Sequence, residues 1–216
     1  GGSNPEGNFR LRLAIQKARD HNMPLDNIER AIKRGSGQAE GANLVEMVLE
    51  GYGPSGVAIL VEALSDNRNR TLQDVRNIFY RHGGSLGESG CVAWLFDFRG
   101  VITVDTNNLD AEELALNAID AGAEDVKVES GYIEIYTKAE ELEKVREALR
   151  QKNITIASAE LSMVPKTTIQ LEEKAALQAL KLLDKLEELD EVQRASSNAD
   201  FPNSIVEKYQ SLSPAR

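Results

Sequence analysis

Residues 57–64 read VAILVEAL, an almost unbroken apolar run that is followed by residues 65–71 (SDNRNRT) and then by an amphipathic stretch ending at Tyr80. A run of that length with so few polar members predicts a nearly continuous apolar strand. Residues 71–80 predict a helix, with Leu72, Val75 and Phe79 facing inward and Thr71 and Asp74 spaced as a capping box. Residues 82–90 form a glycine-rich loop. Residues 91–98 then predict a strand with Val92, Trp94, Phe96 and Phe98 on one face. Arg99 and Gly100 are read as a turn into a second strand, 101–105, so that the two form a hairpin. Strands alternate with helices here without long parallel βαβ repetition, which points to an α+β architecture.

The same rhythm continues downstream. Leu114, Ala115, Ala118 and Ile119 mark a helix ending near Gly122, and short strands follow around 126–128 and 133–135. Leu142, Val145 and Leu149 mark another helix, residues 154–164 another strand, and Pro165 closes the unit. Ala176, Leu180, Leu183 and Leu186 line one side of the longest helix, 171–189, and residues 192–197 read as a last strand. The order suggests two nested ferredoxin-like α/β domains, an outer one of residues 44–105 plus 165–200 and an inserted one of 106–164. The strand 101–105 fits either sheet. Residues 201–216 lack periodicity and read as a tail.

Upstream, residues 9–20 and 24–35 predict two helices in a domain of residues 1–40. Leu11, Ile15 and Ala18 form a stripe on the first; Leu25, Ile28 and Ile32 form one on the second, with Pro24 at its start and Gly35 at its end. Two helices with one stripe each need a third partner to bury them. Residues 35–43 (GSGQAEGAN) read as a linker.

The 216 residues carry a net charge of −10, unevenly spread. Residues 1–100 hold 12 basic and 12 acidic side chains, so the whole deficit lies in 101–216. Residues 8–34 hold seven basic against three acidic residues. A basic element on an acidic body suits an anionic partner. No run is long enough to span a membrane, and the single cysteine, Cys91, excludes an internal disulfide or a cysteine-rich metal site.

Chemical motifs are sparse. Residues 51–56 (GYGPSG) match the glycine spacing of a dinucleotide loop, but a strand rather than a helix follows, and Pro54 interrupts it. His21 and His82 have no metal-ligand spacing, and the carboxylate runs at 140–147 and 184–191 read as solvated helix faces. No catalytic residue, metal ligand or cofactor is assigned. Arg68 and Arg70 sit between a strand end and a helix start, where backbone amides favour an anion. The structural alternative has Asp66 and Asn67 capping the helix while the arginines pair with acids of the other domain. The glycine loops 51–56 and 83–90 are expected to lie together, at the end opposite those arginines.

Several longer strings resemble the YebC family: residues 22–35 (NMPLDNIERAIKRG), 50–57 (EGYGPSGV), 65–71 (SDNRNRT), 83–94 (GGSLGESGCVAW), 122–125 (GAED) and 182–193 (LLDKLEELDEVQ). The resemblance covers about residues 1–198. It implies a helical domain plus two α/β domains. It also implies a role as a DNA-binding transcriptional regulator, or as a ribosome-associated factor that relieves stalling at proline-rich stretches. The family includes the mitochondrial translational activator of cytochrome c oxidase. A cytoplasmic protein is implied for a bacterial member, and an organelle matrix where a targeting segment has been lost. Family members carry a further basic segment ahead of the region matching Gly1-Gly2-Ser3-Asn4-Pro5-Glu6, so a truncated chain is expected.

Together these readings give an N-terminal helical domain followed by two nested ferredoxin-like α/β domains. The expected function is non-enzymatic regulation of gene expression through DNA, RNA or the ribosome. The expected contacts are Arg10, Arg12, Lys17, Arg30, Lys33, Arg34, Arg68 and Arg70. No helix presents base-reading side chains in helix-turn-helix fashion, so backbone-directed binding is expected. The alternative is an adaptor whose acidic α/β body binds a protein partner.

Overall fold

The computed structural model of the protein describes residues 2–36, 44–106, 110–129 and 131–212. Most of the expected linker, residues 37–43, lies outside them. In chain order the helices are α1 (Phe9–Asp20), α2 (Leu25–Gly35), α3 (Arg68–Arg81), α4 (Ala111–Asp120), α5 (Leu142–Gln151), α6 (Glu173–Glu187) and α7 (Asn203–Leu212). The strands are β1 (Val45–Tyr52), β2 (Ala58–Ser65), β3 (Ser85–Leu86), β4 (Phe96–Asp105), β5 (Asp125–Val128), β6 (Tyr132–Lys138), β7 (Ser158–Pro165), β8 (Ile169–Gln170), β9 (Val192–Ser197) and β10 (Ala199–Asp200). They divide into two compact units: Gly1–Asn43 with Phe98–Ser162, and Leu44–Asp97 with Met163–Arg216. The class is α+β.

In the second unit the sheet order is β3-β1-β2-β9, and all three pairings are antiparallel. Read from the other edge, this is the ferredoxin-like arrangement with one change: its third position is filled by β1, which precedes β2 in the chain. VAILVEAL is central because both its faces are covered. Val57, Ile59, Val61 and Ala63 join Val75 and Phe79 of α3 and Leu182 and Leu186 of α6 in one core. Ala58 and Leu60 pack against Val92 and Phe96 on the other side. Each such large side chain contributes about 1.5–3 kcal/mol on burial. In the first unit the order β5-β6-β4-β7 is the ferredoxin-like one without alteration. Its core joins Ile102, Val104, Ile133 and Ile135 to Leu114 and Ala118 of α4 and Val145 and Leu149 of α5.

Five sequence expectations are corrected. Arg99 and Gly100 do not turn the chain: β4 runs straight through them, pairing Arg99 with Lys138 and Gly100 with Thr137 of β6. Gly100 is needed for close approach, since a Cβ there would lie 2.9 Å from Leu142 Cβ and also press on Thr137. The strand 101–105, grouped above with the outer domain, is therefore hydrogen-bonded into the inner sheet.

Residues 91–95 are not a strand either. Residues Ala93–Leu95 form a 3₁₀ turn, which buries Val92 and leaves Trp94 65% exposed. The cause is Glu50, whose carboxylate accepts hydrogen bonds from the backbone N–H groups of Gly90, Val92 and Ala93 at 2.6, 2.8 and 2.7 Å. Amides engaged by a side chain cannot join a ladder.

Helix α3 begins three residues earlier than Thr71. Asn67 caps it, accepting from Arg70 N at 3.2 Å, while Thr71 is buried and its hydroxyl lies 2.7 Å from Ser65 Oγ. Finally, the expected tail contains α7. Ile205, Val206 and Tyr209 are its half-buried side, Tyr209 donates to Asp184 of α6 at 3.2 Å, and Lys208 pairs with Glu173.

Candidate nucleic-acid interface

Helix α1 forms at residues 9–20 because Asn8 caps it, accepting from Leu11 N at 3.1 Å, and Lys17 and Arg19 suit its last turn. Phe9 and Leu13 pack on the core of the first unit. The stripe of Leu11, Ile15 and Ala18 faces Ile28 and Ile32 of α2 across an open groove of roughly 690 Å³. Met23 in the groove lining is 46% exposed and Leu25 is 56% exposed, so these two helices do not bury both stripes between them.

The eight candidate cations separate by what they touch. In α1, Arg10 lies over the Phe98 ring, 5.9 Å from its centre. Arg12 lies at the same distance from the Phe9 ring and donates to the carbonyls of Pro5 and Glu6 at 3.5 Å. Lys17 is 3.4 Å from the Glu160 carboxylate. In α2, Arg30 donates to Asn27 Oδ1 at 2.9 Å. Lys33 and Arg34 are exposed in its last turn and, among the described residues, make no ion pair. The sequence reading passed over Arg19, which is exposed at the end of α1; its place in a last helical turn was the available signal.

Arg70 is engaged within the second unit. Its guanidinium is 2.6 Å from Glu191 and 3.3 Å from Asp66. Hydrogen bonding to Glu191, then the charges of Glu191 and Asp66, push its pKa further up. Asn67 is the cap and Arg70 is paired, as the structural alternative has it, but Asp66 pairs with Arg70 instead of capping, and both acids belong to the same unit as Arg70 rather than to the other domain. Arg68 remains exposed at the first position of α3.

The two glycine loops do lie together. Gly51 pairs with Leu86 and Tyr52 with Ser85, and a Cβ on Gly51 would meet Ser85 O at 2.6 Å. Glu50 holds their far side. Burial works to raise its pKa, but the three N–H groups outweigh that and hold the carboxyl below its ordinary range. Tyr52 and Trp94 both donate to the Cys91 carbonyl, at 3.0 and 3.1 Å. Sequence reasoning missed Glu50; it shares the alternation of the exposed Glu46, Val48 and Tyr52 along β1, so the strand pattern gave no signal for its burial.

Among the described residues no helix is long and apolar enough to cross a membrane, and no group of three or more His, Cys, Asp or Glu could hold a metal ion.

Comparison with known proteins extends these observations. Residues 1–38 match the TACO1/YebC protein N-terminal domain, and residues 44–199 match the TACO1/YebC second and third domain. A probable transcriptional regulatory protein of Dehalococcoides mccartyi is 62% identical over 211 residues, covering 98% of this chain and 84% of that protein. One from Chloroflexus aggregans is 53% identical, with the same coverage of each chain. The crystal structure of a conserved hypothetical protein from Aquifex aeolicus superposes with a TM-score of 0.84 at 48% identity, covering 94% of this chain and 84% of that one. With matches across both the helical segment and the two nested sheets, the chain belongs to the TACO1/YebC family.

Proposed function

We propose that the protein is a non-enzymatic regulator of gene expression that binds the phosphate backbone of DNA or RNA, the ribosome included, through the cations of α1 and α2. The observation that carries this reading is the last turn of α2. Lys33 and Arg34 stand exposed there beside Arg30 and Gly35, with no acidic partner among the described residues. In a chain of net charge −10, cations left without carboxylates suit an external anion. Arg10, Arg12 and Lys17, each itself exposed and held by a ring, a carbonyl or a half-buried carboxylate, can turn outward at small cost. The relatives named probable transcriptional regulatory proteins support the regulatory role. Phosphate contacts set position without reading sequence, so selectivity between DNA sequences should be weak.

The test is a salt titration of binding to duplex DNA, RNA and ribosomes. Changing Lys33 and Arg34 together to Ala should lower the slope of log affinity against log salt by about 1–2. An unchanged slope and affinity on all three would remove the assignment. One observation favours a second reading, an adaptor for a protein partner. The outward side of α4 carries Glu112, Glu113 and Asp120 around Leu116, which is 68% exposed, and Ile119. On that reading the double variant binds as the parent does, and Leu116→Ser releases the partner.

A further inference from the structure

We infer that the outward face of α3 is a separate nucleic-acid site, in the second unit, that takes unpaired bases of a single strand. Asn69, Gln73, Arg76, Asn77 and Tyr80 recur at helical spacing and are all exposed, opposite the buried Thr71, Val75 and Phe79. No exposed residue of α3 is acidic; its one carboxylate, Asp74, is half-buried at the flank. The exposed side of α4, by contrast, carries three acids and no base.

The chemistry of the stripe fits bases better than it fits a protein or a lipid. Side-chain amides offer a donor and an acceptor together, as base edges do. Tyr80 is 83% exposed, the only aromatic ring on the stripe, and a ring standing free on a polar surface is a stacking platform. A protein-docking face or a membrane face would need apolar neighbours around that ring, and the stripe has none. Positive charge gathers where α3 ends. The imidazole of His82 is held below its ordinary pKa by burial, then by the charges of Lys181 and Lys185 of α6 and of Arg81. Lys185 is shared with Glu188, whereas Arg81 and Lys181 are exposed and, among the described residues, unpaired. Phosphates of a strand whose base rests on Tyr80 would meet them.

The full chain is titrated by fluorescence anisotropy against labelled oligouridine of about 15 nucleotides, oligothymidine of equal length, and an RNA duplex. Tyr80→Ala should weaken binding to both single strands about tenfold, the effect of losing about 1.4 kcal/mol of stacking, and leave the duplex unchanged. Tyr80→Phe should keep the parent's affinity. Gln73→Glu should weaken single strands as well, by placing a carboxylate mid-stripe. A parent chain that binds neither single strand overturns the inference. So does a Tyr80→Ala variant that binds them normally, or one that loses the duplex equally. The Lys33 and Arg34 double variant keeps the two readings apart: it should lower the salt slope on every probe, and its failure leaves the Tyr80 result standing.

Discussion

The last turn of α2 and the first turn of α3 look alike in the sequence, for each offers two or three cations within five residues. Their surroundings differ. At α3, Arg70 meets Glu191 at 2.6 Å and Asp66 at 3.3 Å. At α2, Lys33 and Arg34 meet no carboxylate among the described residues. A cation whose charge is already answered within its own unit gives up that partner before it can take another; one left unanswered does not. The number of basic residues in a segment therefore says little about binding until their partners are known.

Glu50 is the extreme of the answered kind, and breaking it should have the largest effect. The side chain is 4% exposed and receives three backbone N–H bonds, so Glu50→Gln keeps the volume but turns an NH₂ toward donors. The expected cost is about 3 kcal/mol, as for lost hydrogen bonds to a buried charge, and a melting midpoint lower by about 10 °C. The pH dependence follows from the depressed pKa. The folded carboxyl holds its proton less readily than the unfolded one, so its contribution is complete above the ordinary value of 4.5 and is lost as pH falls through the lower folded value. The gap between parent and variant should therefore close in acid. A gap that stays constant down to the acid transition would mean that shape, rather than charge, holds residues 90–93.

The double change at Lys33 and Arg34 probes the unanswered kind and comes next. It should cut affinity by about tenfold at low salt and leave the melting midpoint where it was, because no internal partner is lost. A falling midpoint would show that these cations have a structural contact after all.

How far this contrast could be read from the sequence depends on the range of the interaction. Local signals were sufficient for α1, which its apolar stripe marks, and for VAILVEAL, whose unbroken hydrophobicity marks a strand. They were sufficient to find basic clusters. They failed where the partner is distant in the chain. Glu191 lies 121 residues from Arg70, and Glu50 lies about 40 from the amides it clamps. Gly100 reads as a turn residue until Leu142 and Thr137 are placed against it. Helix α7 was missed because its buried side is only Ile205, Val206 and Tyr209, and because Asp184 of α6 is what receives Tyr209. The stripe on α3 is a different case. Its spacing was legible throughout, but attention to apolar positions leaves polar stripes unread.

His82 offers a smaller test, at the other end of α3. Its folded pKa lies below the ordinary 6.5, so the folded state resists protonation; the contribution to stability is complete above 6.5 and declines as pH falls through the folded value. A phosphate near Lys181, Lys185 and Arg81 would reverse the balance and favour the imidazolium. Oligouridine should then bind more tightly as pH falls, by less than about tenfold for a single added charge. The His82 ring signals in NMR should titrate at higher pH with the oligonucleotide than without it. An unmoved titration would place the strand away from this end of α3.

The smallest effect is expected from Arg70→Ala, and it tests the comparison most directly. If Arg70 serves the second unit, its loss should leave the salt slope of nucleic-acid binding unchanged. It should also move the melting midpoint by no more than about 2–4 °C, since the guanidinium is half-exposed and its pairing is screened by solvent. Glu191→Ala should give the same small shift, and the two changes together should not add, because either one breaks the same contact. Arg70→Lys should restore part of the pairing, as an ammonium keeps the charge on a shorter, more strongly hydrated head. A binding site at Arg70 predicts the reverse pattern. Arg70→Ala would then lower the salt slope by about one, and Glu191→Ala would strengthen binding by freeing the guanidinium. The double-mutant cycle, read once by thermal melting and once by salt titration, decides between the two.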